Sequence, residues 1–239
     1  MSCEIVVRYA RPEDLENRRE LVRNCFSINF WDAFLFFFLQ ELTLECCVLG
    51  AAVLFIFCGV SATACTILLP AAAAFVASGV LVYRQALAHK HMQNLSSELY
   101  GLVAEAHGSL LPPKSVLLPI RINLASVQNG KKEYHVHIVG TVSVAEFHGA
   151  AARGWVEGLA VADEWRQCGV GAALVASTRR AAAVQGLHSL ETALSHLQPG
   201  ARRLLHGAGW DCRGSYERRL AGAALTLPVL RLGTDVLLA

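Results

Sequence analysis

The sequence predicts an α/β fold with an inserted pair of apolar helices, and three stretches of the chain support this prediction. Residues 155–161 form an apolar run of strand length, which a turn connects to a helix rich in alanine, leucine and valine. A second strand–helix pair opens the chain, at residues 4–25. Between the two pairs, residues 46–83 contain no charged side chain. Alternating strands and helices indicate an α/β sheet, and a long uncharged run is typical of a membrane segment.

Composition excludes several classes of protein. A chain of 239 residues allows one or two domains. The formal net charge is only +2, while 54% of the residues are hydrophobic, so we expect no nucleic-acid partner, which would require a concentrated basic face. The eight cysteines form no C-x-x-C pair, so we expect neither a metal site nor a disulfide framework. This usage indicates a reduced protein that faces the cytosol.

The first elements are a short strand and an amphipathic helix. Residues 4–9 (E-I-V-V-R-Y) predict the strand, and Pro12, followed by two acidic residues, is typical of the first turn of a helix. Apolar side chains at helical spacing continue this helix to Cys25. Charged residues occupy the positions where the apolar core of a signal peptide would lie, so we expect no such peptide here.

The apolar run is long enough to cross a lipid bilayer either once or twice. A crossing needs about 20 residues, so residues 46–83 would suffice for one tilted span or for two short ones. If the first strand belongs to the same sheet as residues 155–161, both ends of the run must lie on one side of the membrane. This argument favours a helical hairpin, with its bend at Gly59–Ser61 or at Pro70. Basic residues flank both ends, which is consistent with two cytosolic ends.

The remaining elements complete a sheet flanked by helices. Residues 85–107 predict a polar-faced helix, and Asn129-Gly130 predicts a hairpin between two strands. The other predicted elements are strands at 116–124, 133–147, 189–194 and 216–227 (one or two strands) and a helix at 199–207. We therefore divide the chain into 1–29 (first strand and helix), 30–95 (membrane-embedded insertion) and 96–239 (remainder of the α/β domain).

A glycine loop stands between the strand at 155–161 and its helix. Arg166, Gly169 and Gly171 have the spacing R-x-x-G-x-G. Glycines at a helix entrance let backbone N–H groups approach a ligand closely, and the positive end of the helix dipole favours an anion. A pyrophosphate would fit such a loop. The alternative is an ordinary strand–helix crossover in which the glycines serve packing.

Residues 154–210 resemble the GNAT superfamily of N-acyltransferases. The likeness lies in V-E-G-L-A-V, then R-x-x-G-x-G and A-A-L-V, and finally G-A-G-W at the end. It implies a GNAT-type mixed central sheet flanked by helices, acetyl-CoA as co-substrate, and no metal. The residues that the resemblance assigns to acetyl-CoA binding are Leu159, Ala160, Val161, Arg166, Gln167, Cys168, Gly169, Val170, Gly171 and Ala172.

The resemblance identifies the catalytic residues less completely than the residues that bind acetyl-CoA. Glu157 lies on the strand that should flank the thioester, where it is the candidate general base; the alternative is a structural pairing with Arg153. The family's proton donor, a tyrosine four residues before the glycine of the closing motif, is replaced here by Leu205. His206 is the neighbouring candidate, although consecutive helical residues point about 100° apart.

The layout resembles a narrower group, the membrane-anchored acetyltransferases that include cysteinyl-conjugate N-acetyltransferase and N-acetylaspartate synthetase. The resemblance implies an endoplasmic-reticulum enzyme whose catalytic domain faces the cytosol. Its acceptor would be the amine of a small amino-acid-like molecule or of a lysine side chain. Because of Leu205, the alternative is a weak or inactive GNAT-fold membrane protein that acts by binding acyl-CoA or another protein.

Overall fold

The computed structural model describes residues 4–25, 29–107, 120–121, 136–147, 152–221 and 225–236. The strands are β1 (Glu4–Tyr9), β2 (Tyr100–His107), β3 (Ile120–Arg121), β4 (Val136–Glu146), β5 (Arg153–Val161), β6 (Ser189–Ser195), β7 (Asp211–Ala221) and β8 (Leu225–Asp235). The helices are α1 (Leu15–Cys25), α2 (Phe30–Phe38), α3 (Glu41–Cys58), α4 (Ala62–Cys65), α5 (Leu68–Asn94), α6 (Val170–Val184) and α7 (Pro199–Gly207).

All these strands belong to one mixed sheet, in the order β3-β1-β2-β4-β5-β6-β8-β7. The β1–β3 and β5–β6 pairs are parallel, and the other neighbours are antiparallel. The first strand therefore does lie in the same sheet as β5, as the hairpin argument required. Of the predicted strand 116–124, only β3 is described, and the predicted hairpin at Asn129-Gly130 lies outside the described residues.

The predicted strand–turn–helix is confirmed as β5, a 3-10 turn at Asp163–Trp165 and α6. Helix α6 buries its apolar face, including Leu174 and Ala181, against the sheet, where Val7 and Leu102 are fully buried. Each such aliphatic side chain contributes roughly 1.5–3 kcal/mol on burial. The packing of α6 fixes the position of the loop that precedes it.

The prediction of a single helix over residues 85–107 is wrong. Helix α5 ends at Asn94, and residues 100–107 form β2, which pairs with β1 on one side and β4 on the other. The segment Y-G-L-V-A-E-A-H is buried along almost its whole length. A central strand lacks the polar–apolar alternation by which a strand is recognised, and its alanines and glutamate are also compatible with a helix.

Helices α3 and α5 are long and apolar enough to cross a membrane. Gly59 caps α3 in the left-handed conformation (φ 63°), so the chain turns there, while Pro70 lies inside the first turn of α5. The two helices pack on each other. Many of their large apolar side chains are exposed: Val48, Leu49, Val53, Phe55, Ile56, Phe57, Phe75 and Val82. Such a continuous apolar surface is characteristic of contact with lipid or with a partner.

The insertion also packs against the sheet domain. Ala33 and Phe37 of α2 and Val80 of α5 form a buried cluster with Leu197 and Leu227, which belong to the sheet side. The rings of Phe37 and Tyr83 meet edge to face, with centroids 6.1 Å apart. The C-terminal half of α5 therefore packs on the sheet domain, and its N-terminal half belongs to the apolar hairpin.

A buried arginine connects α1 to the segment that follows α5. Arg18 of α1 is only 2% exposed and makes two hydrogen bonds of 2.5 Å to the Glu98 carboxylate. It also donates to the hydroxyls of Thr141 and Ser143 on β4. The buried charge is therefore both paired and hydrogen-bonded, as a buried ion must be.

Candidate functional site: a splayed sheet beside a glycine loop

The parallel strands β5 and β6 pair at only three positions and then separate. Their last paired residues are Trp155 and Glu191. Just beyond this point, the Thr192 hydroxyl donates a hydrogen bond of 2.8 Å to the Val156 carbonyl, in place of a ladder bond. The two strands then diverge and leave a gap in the middle of the sheet. Such a gap exposes backbone groups that an extended ligand can use.

A β-bulge distorts β5 beside this gap. The register with β4 shifts between the pairs Ser143–Glu157 and Thr141–Ala160, so that Gly158 and Leu159 together stand opposite one residue. Gly158 has a φ of 62°, in the left-handed region that glycine adopts without a penalty. A bulge leaves a backbone group out of the ladder and redirects side chains. Here it brings unpaired backbone close to the gap.

The glycine loop lies at the entrance of α6, as predicted. Gln167 (φ 65°) and Gly169 (φ 84°) have left-handed backbone, and α6 begins at Val170. The first helical bond runs from the Ala173 N–H to the Gly169 carbonyl. The N–H groups of the preceding turn have no helical acceptor, and the helix dipole adds positive potential. The loop has the geometry of an anion cradle.

The Arg166 side chain serves a structural role in this structure. Its guanidinium donates to the carbonyl of Cys25 at 2.7 Å and to that of Val161 at 3.3 Å, and it lies 2.8 Å from the Asp163 carboxylate. These bonds tie the end of α1 to the end of β5. The backbone of the loop, and not this side chain, is therefore the better-placed contact for a phosphate.

One cavity of about 1180 Å³ connects the glycine loop, the gap between β5 and β6, and the C-terminal end of α5. It is lined by the loop, by the facing segments of β5 and β6, and by Tyr83, Leu87, Lys90 and Asn94 of α5. The glycine loop, the gap and the end of α5 therefore border the same space.

Most of the sequence-predicted cofactor residues line this cavity. The residues in its wall are Leu159, Ala160, Val161, Arg166, Gln167, Gly169, Gly171 and Ala172. Val170 is only 1% exposed and packs in the core, and Cys168 packs partly against that core. These two positions offer the loop backbone, and not a side chain, to a ligand in the cavity.

Glu157 lies in the cavity wall and is half-buried. Its Oε2 accepts a hydrogen bond of 2.8 Å from Nδ2 of Asn94, the last residue of α5. The alternative pairing with Arg153 is absent from the contacts of these two described residues: Arg153 lies 3.6 Å from the Glu191 carboxylate instead. Glu157 is therefore a carboxylate in the cavity wall that Asn94, and not Arg153, holds.

The structure does not bring His206 to Glu157. His206 is exposed on α7 and is not part of the cavity wall, whereas Leu205 is 2% exposed and lines the cavity. The position of the family's tyrosine is thus inside the site, but it carries an aliphatic side chain. The cavity wall also contains side-chain hydroxyls, among them that of Tyr216 on β7.

Three charged side chains on the α5 side were missed by the sequence analysis. Asp32, Lys90 and Arg218 line the cavity, although they come from α2, α5 and β7. No local motif joins them, because only the packing of the insertion on the β7–β8 hairpin brings them together. Cys25 also lines the cavity, but burial and the nearby Asp163 carboxylate raise the pKa of its thiol. Its thiol therefore stays protonated at neutral pH.

In the part of the chain that the structure describes, no three His, Cys, Asp or Glu side chains come together as metal ligands. The cavity wall contains the glycine loop, the Glu157 carboxylate, and the charged side chains of Asp32, Lys90 and Arg218.

The comparisons with known proteins agree with this geometry. Residues 119–210 match the acetyltransferase (GNAT) family. No curated protein matches the chain as a sequence. Among solved structures, the chain is similar to smu.2055 of Streptococcus mutans UA159 (12% identity, 96% of this chain and 98% of that one, TM-score 0.50). It is also similar to a putative GNAT acetyltransferase of Desulfovibrio desulfuricans (12% identity, 98% and 99% covered, TM-score 0.49). The family match covers residues 119–210, which include β5, the glycine loop and β6, and the likeness to smu.2055 concerns the fold.

Proposed function

We propose that this protein is a membrane-anchored enzyme that transfers acetyl from acetyl-CoA to the amine of a small amino-acid-like molecule or of a lysine side chain. The single observation that carries the proposal is the cavity that joins the glycine loop to Glu157 through the gap between β5 and β6. Acetyl-CoA would extend from the loop into the gap, and the acceptor would enter beside α5.

The residues of the gap supply most of what amide formation requires. Glu157 would take a proton from the ammonium form of the acceptor, since only a neutral amine attacks a thioester. Backbone N–H groups near Leu159, at the bulge, would donate hydrogen bonds to the thioester oxygen as negative charge develops there. General-base assistance is worth about 10²–10⁴-fold in rate. As the amide forms, the second proton of the amine would pass through water to the departing thiolate, because Leu205 has no proton to give.

Leu205 also supports a second candidate, a catalytically weak or inactive protein that acts by binding acyl-CoA or a protein partner. Both candidates require the glycine loop, so acetyl-CoA binding does not separate them. Formation of acetylated product does. The test is an acetyl-CoA-dependent screen of free amino acids, cysteine conjugates and lysine peptides, with release of CoA and the mass of the product measured together. Binding of acetyl-CoA with neither CoA release nor an acetylated product would favour the second candidate.

We propose further that α3 and α5 cross the endoplasmic-reticulum membrane as a hairpin and that the N-terminus and the catalytic domain both face the cytosol. The support lies in the exposed apolar surfaces of both helices and in the pairing of β1 with β2, which keeps the two ends of the insertion together. Protease protection of microsomes that carry a tag at each end is the test. Cleavage of both tags is expected. Protection of one tag and cleavage of the other would overturn the hairpin, and protection of both would overturn the cytosolic orientation.

The charges at the far end of the cavity support an acceptor with a negative group. Lys90 and Arg218 lie in the wall, and no ion pair joins either of them to another described residue. A carboxylate near these two cations would direct the amine of an amino acid toward Glu157. Within the proposed acceptor classes, free amino acids and their conjugates therefore fit the cavity better than a lysine side chain within a peptide.

A further inference from the structure

The C-terminal end of α5 packs on the bulge of β5. Leu95, the residue after α5, is 2% exposed and belongs to a buried cluster with Ala160 of β5 and Leu21 and Val22 of α1. A Cβ on Gly158 would lie 3.7 Å from the Leu95 Cδ2 atom. The end of this helix is therefore in contact with the strand segment that carries the candidate base. A membrane anchor alone would not require such a contact.

The backbone around Asn94 is held in place. Its carbonyl accepts a hydrogen bond of 3.1 Å from the Ser97 hydroxyl, across the 3-10 turn Leu95–Ser97 that ends the helix. From this position the side-chain amide donates to Oε2 of Glu157 at 2.8 Å. The two residues are 63 positions apart in the sequence. The bond uses one carboxylate oxygen and leaves the other for a proton from the acceptor.

We propose that Asn94 is the positioning residue of Glu157, so that α5 forms part of the catalytic site. This inference rests on the proposed function, in which Glu157 is the general base. An amide N–H donor holds the carboxylate in one rotamer, and a neutral donor does so without placing an opposite charge beside the base.

The first test substitutes Asn94 in the full-length, detergent-solubilised protein. Asn94→Ala should lower kcat about 10- to 100-fold, the equivalent of one hydrogen bond to a charged group. Its affinity for acetyl-CoA should not change. KM for the acceptor should also stay unchanged, because the amide holds the base and not the acceptor. Asn94→Asp, which is nearly isosteric but has no N–H donor, should lower kcat at least as much.

Gln93→Ala is the matched control. Gln93 is the exposed neighbour on the same helical turn, and its side chain contacts His89 of its own helix at 3.0 Å. This variant should retain the wild-type kcat. If Asn94 had only a structural role, Asn94→Ala and Asn94→Asp would lower thermal stability and leave the kcat of the folded protein at its wild-type value, and that outcome would overturn the inference.

A double-mutant cycle then separates this inference from the function on which it rests. If Asn94 acts through Glu157, adding Asn94→Ala to a Glu157→Gln protein should lower kcat by less than twofold. A further loss of tenfold or more in that background would show that Asn94 acts elsewhere and would overturn the inference alone. A Glu157→Gln protein with wild-type turnover would overturn the general-base role, and the positioning role with it.

Discussion

The hydroxyl of Thr192 takes the place of the ladder bond that β6 no longer makes to Val156. The separation of β5 from β6 begins at this pair, so a side chain satisfies a buried carbonyl at the edge of the opening. The gap is thus built into the sheet and does not need a ligand to hold it open.

Thr192→Val should lower the free energy of unfolding by about 1–3 kcal/mol, because the buried Val156 carbonyl loses its donor while the side-chain volume stays nearly constant. Chemical or thermal unfolding of the detergent-solubilised protein measures this change. Thr192→Ser, which keeps the hydroxyl, is the control. Equal losses in the two variants would mean that packing, and not the hydrogen bond, explains the effect.

Gly169→Val should weaken acetyl-CoA binding at least 100-fold and leave the protein folded. A branched side chain disfavours the φ of 84° at Gly169, so the loop would change shape and lose several N–H contacts to phosphate. Gly171→Ala should cost less, since its Cβ would meet the flexible end of Leu204 at 3.0 Å. Calorimetric titration with CoA is the measurement. Gly207→Ala, which has open space, is the control. Unchanged affinity in a folded Gly169→Val protein would contradict a cofactor site in this loop.

Leu205→Tyr should raise kcat about tenfold, because it places a proton donor in the wall of the cavity where the departing thiolate forms. Leu205 is nearly fully buried, so the larger ring should also cost about 1–3 kcal/mol of stability. Leu205→Phe adds the same ring without the hydroxyl and should not raise the rate. A rate increase of similar size in both variants would attribute the effect to shape.

Arg218→Gln should raise KM for a carboxylate-bearing amine about tenfold and leave KM for its carboxamide analogue unchanged. The physical reason is the loss of a charge-assisted contact in the acceptor half of the cavity. Steady-state kinetics with the two acceptors make the comparison. Arg219→Gln, the exposed neighbour on β7, is the matched control. An equal rise in KM for both acceptors would rule out recognition of the carboxylate.

Asp14→Asn should lower the unfolding free energy by about 1–3 kcal/mol at neutral pH. Burial favours a higher pKa of the Asp14 carboxyl, but hydrogen bonds of 2.7 Å from the Arg8 guanidinium and the Arg11 N–H outweigh it and keep that pKa below its ordinary value. The stabilisation is therefore complete above about pH 4 and is lost as the pH falls through the lowered pKa.

Melting temperatures measured from pH 7 down to about pH 2 test this linkage. The wild-type protein should lose more stability than Asp14→Asn over the acid part of that range. Glu13→Gln, which changes the exposed neighbouring carboxyl, is the control and should follow the wild-type curve. Parallel curves for the wild-type and Asp14→Asn proteins would contradict the role of this carboxyl.

Local patterns were sufficient to predict the elements around the glycine loop. An apolar strand, a polar turn and a small-residue helix succeed one another within residues 153–184, so each is visible in a short window of sequence. The same is true of β1 and α1, and of α7, where Pro199 marks the first turn. The bend at Gly59 was one of two sequence candidates, and its left-handed cap agrees with the first of them.

Contacts between distant segments could not be predicted in this way. Strand β2 has a composition that a helix also tolerates, and only its pairing with β1 and β4 makes it a strand. The bond between Asn94 and Glu157 depends on how α5 docks on the bulge, which no local window contains. Lys90 and Arg218 likewise line the same cavity only because α2 and α5 pack on the sheet.

The pairing of β1 with β2 has a consequence for how the protein is made. These strands lie on either side of the apolar hairpin, so a ribosome synthesises Tyr9 long before its sheet partner Leu102. Such a distant closure is entropically slow unless something holds the ends together. If the hairpin enters a bilayer, insertion brings its two ends to one face and delivers β2 to β1. The transferase would then complete its sheet at the membrane, and chains that fail to insert would remain without a finished active site.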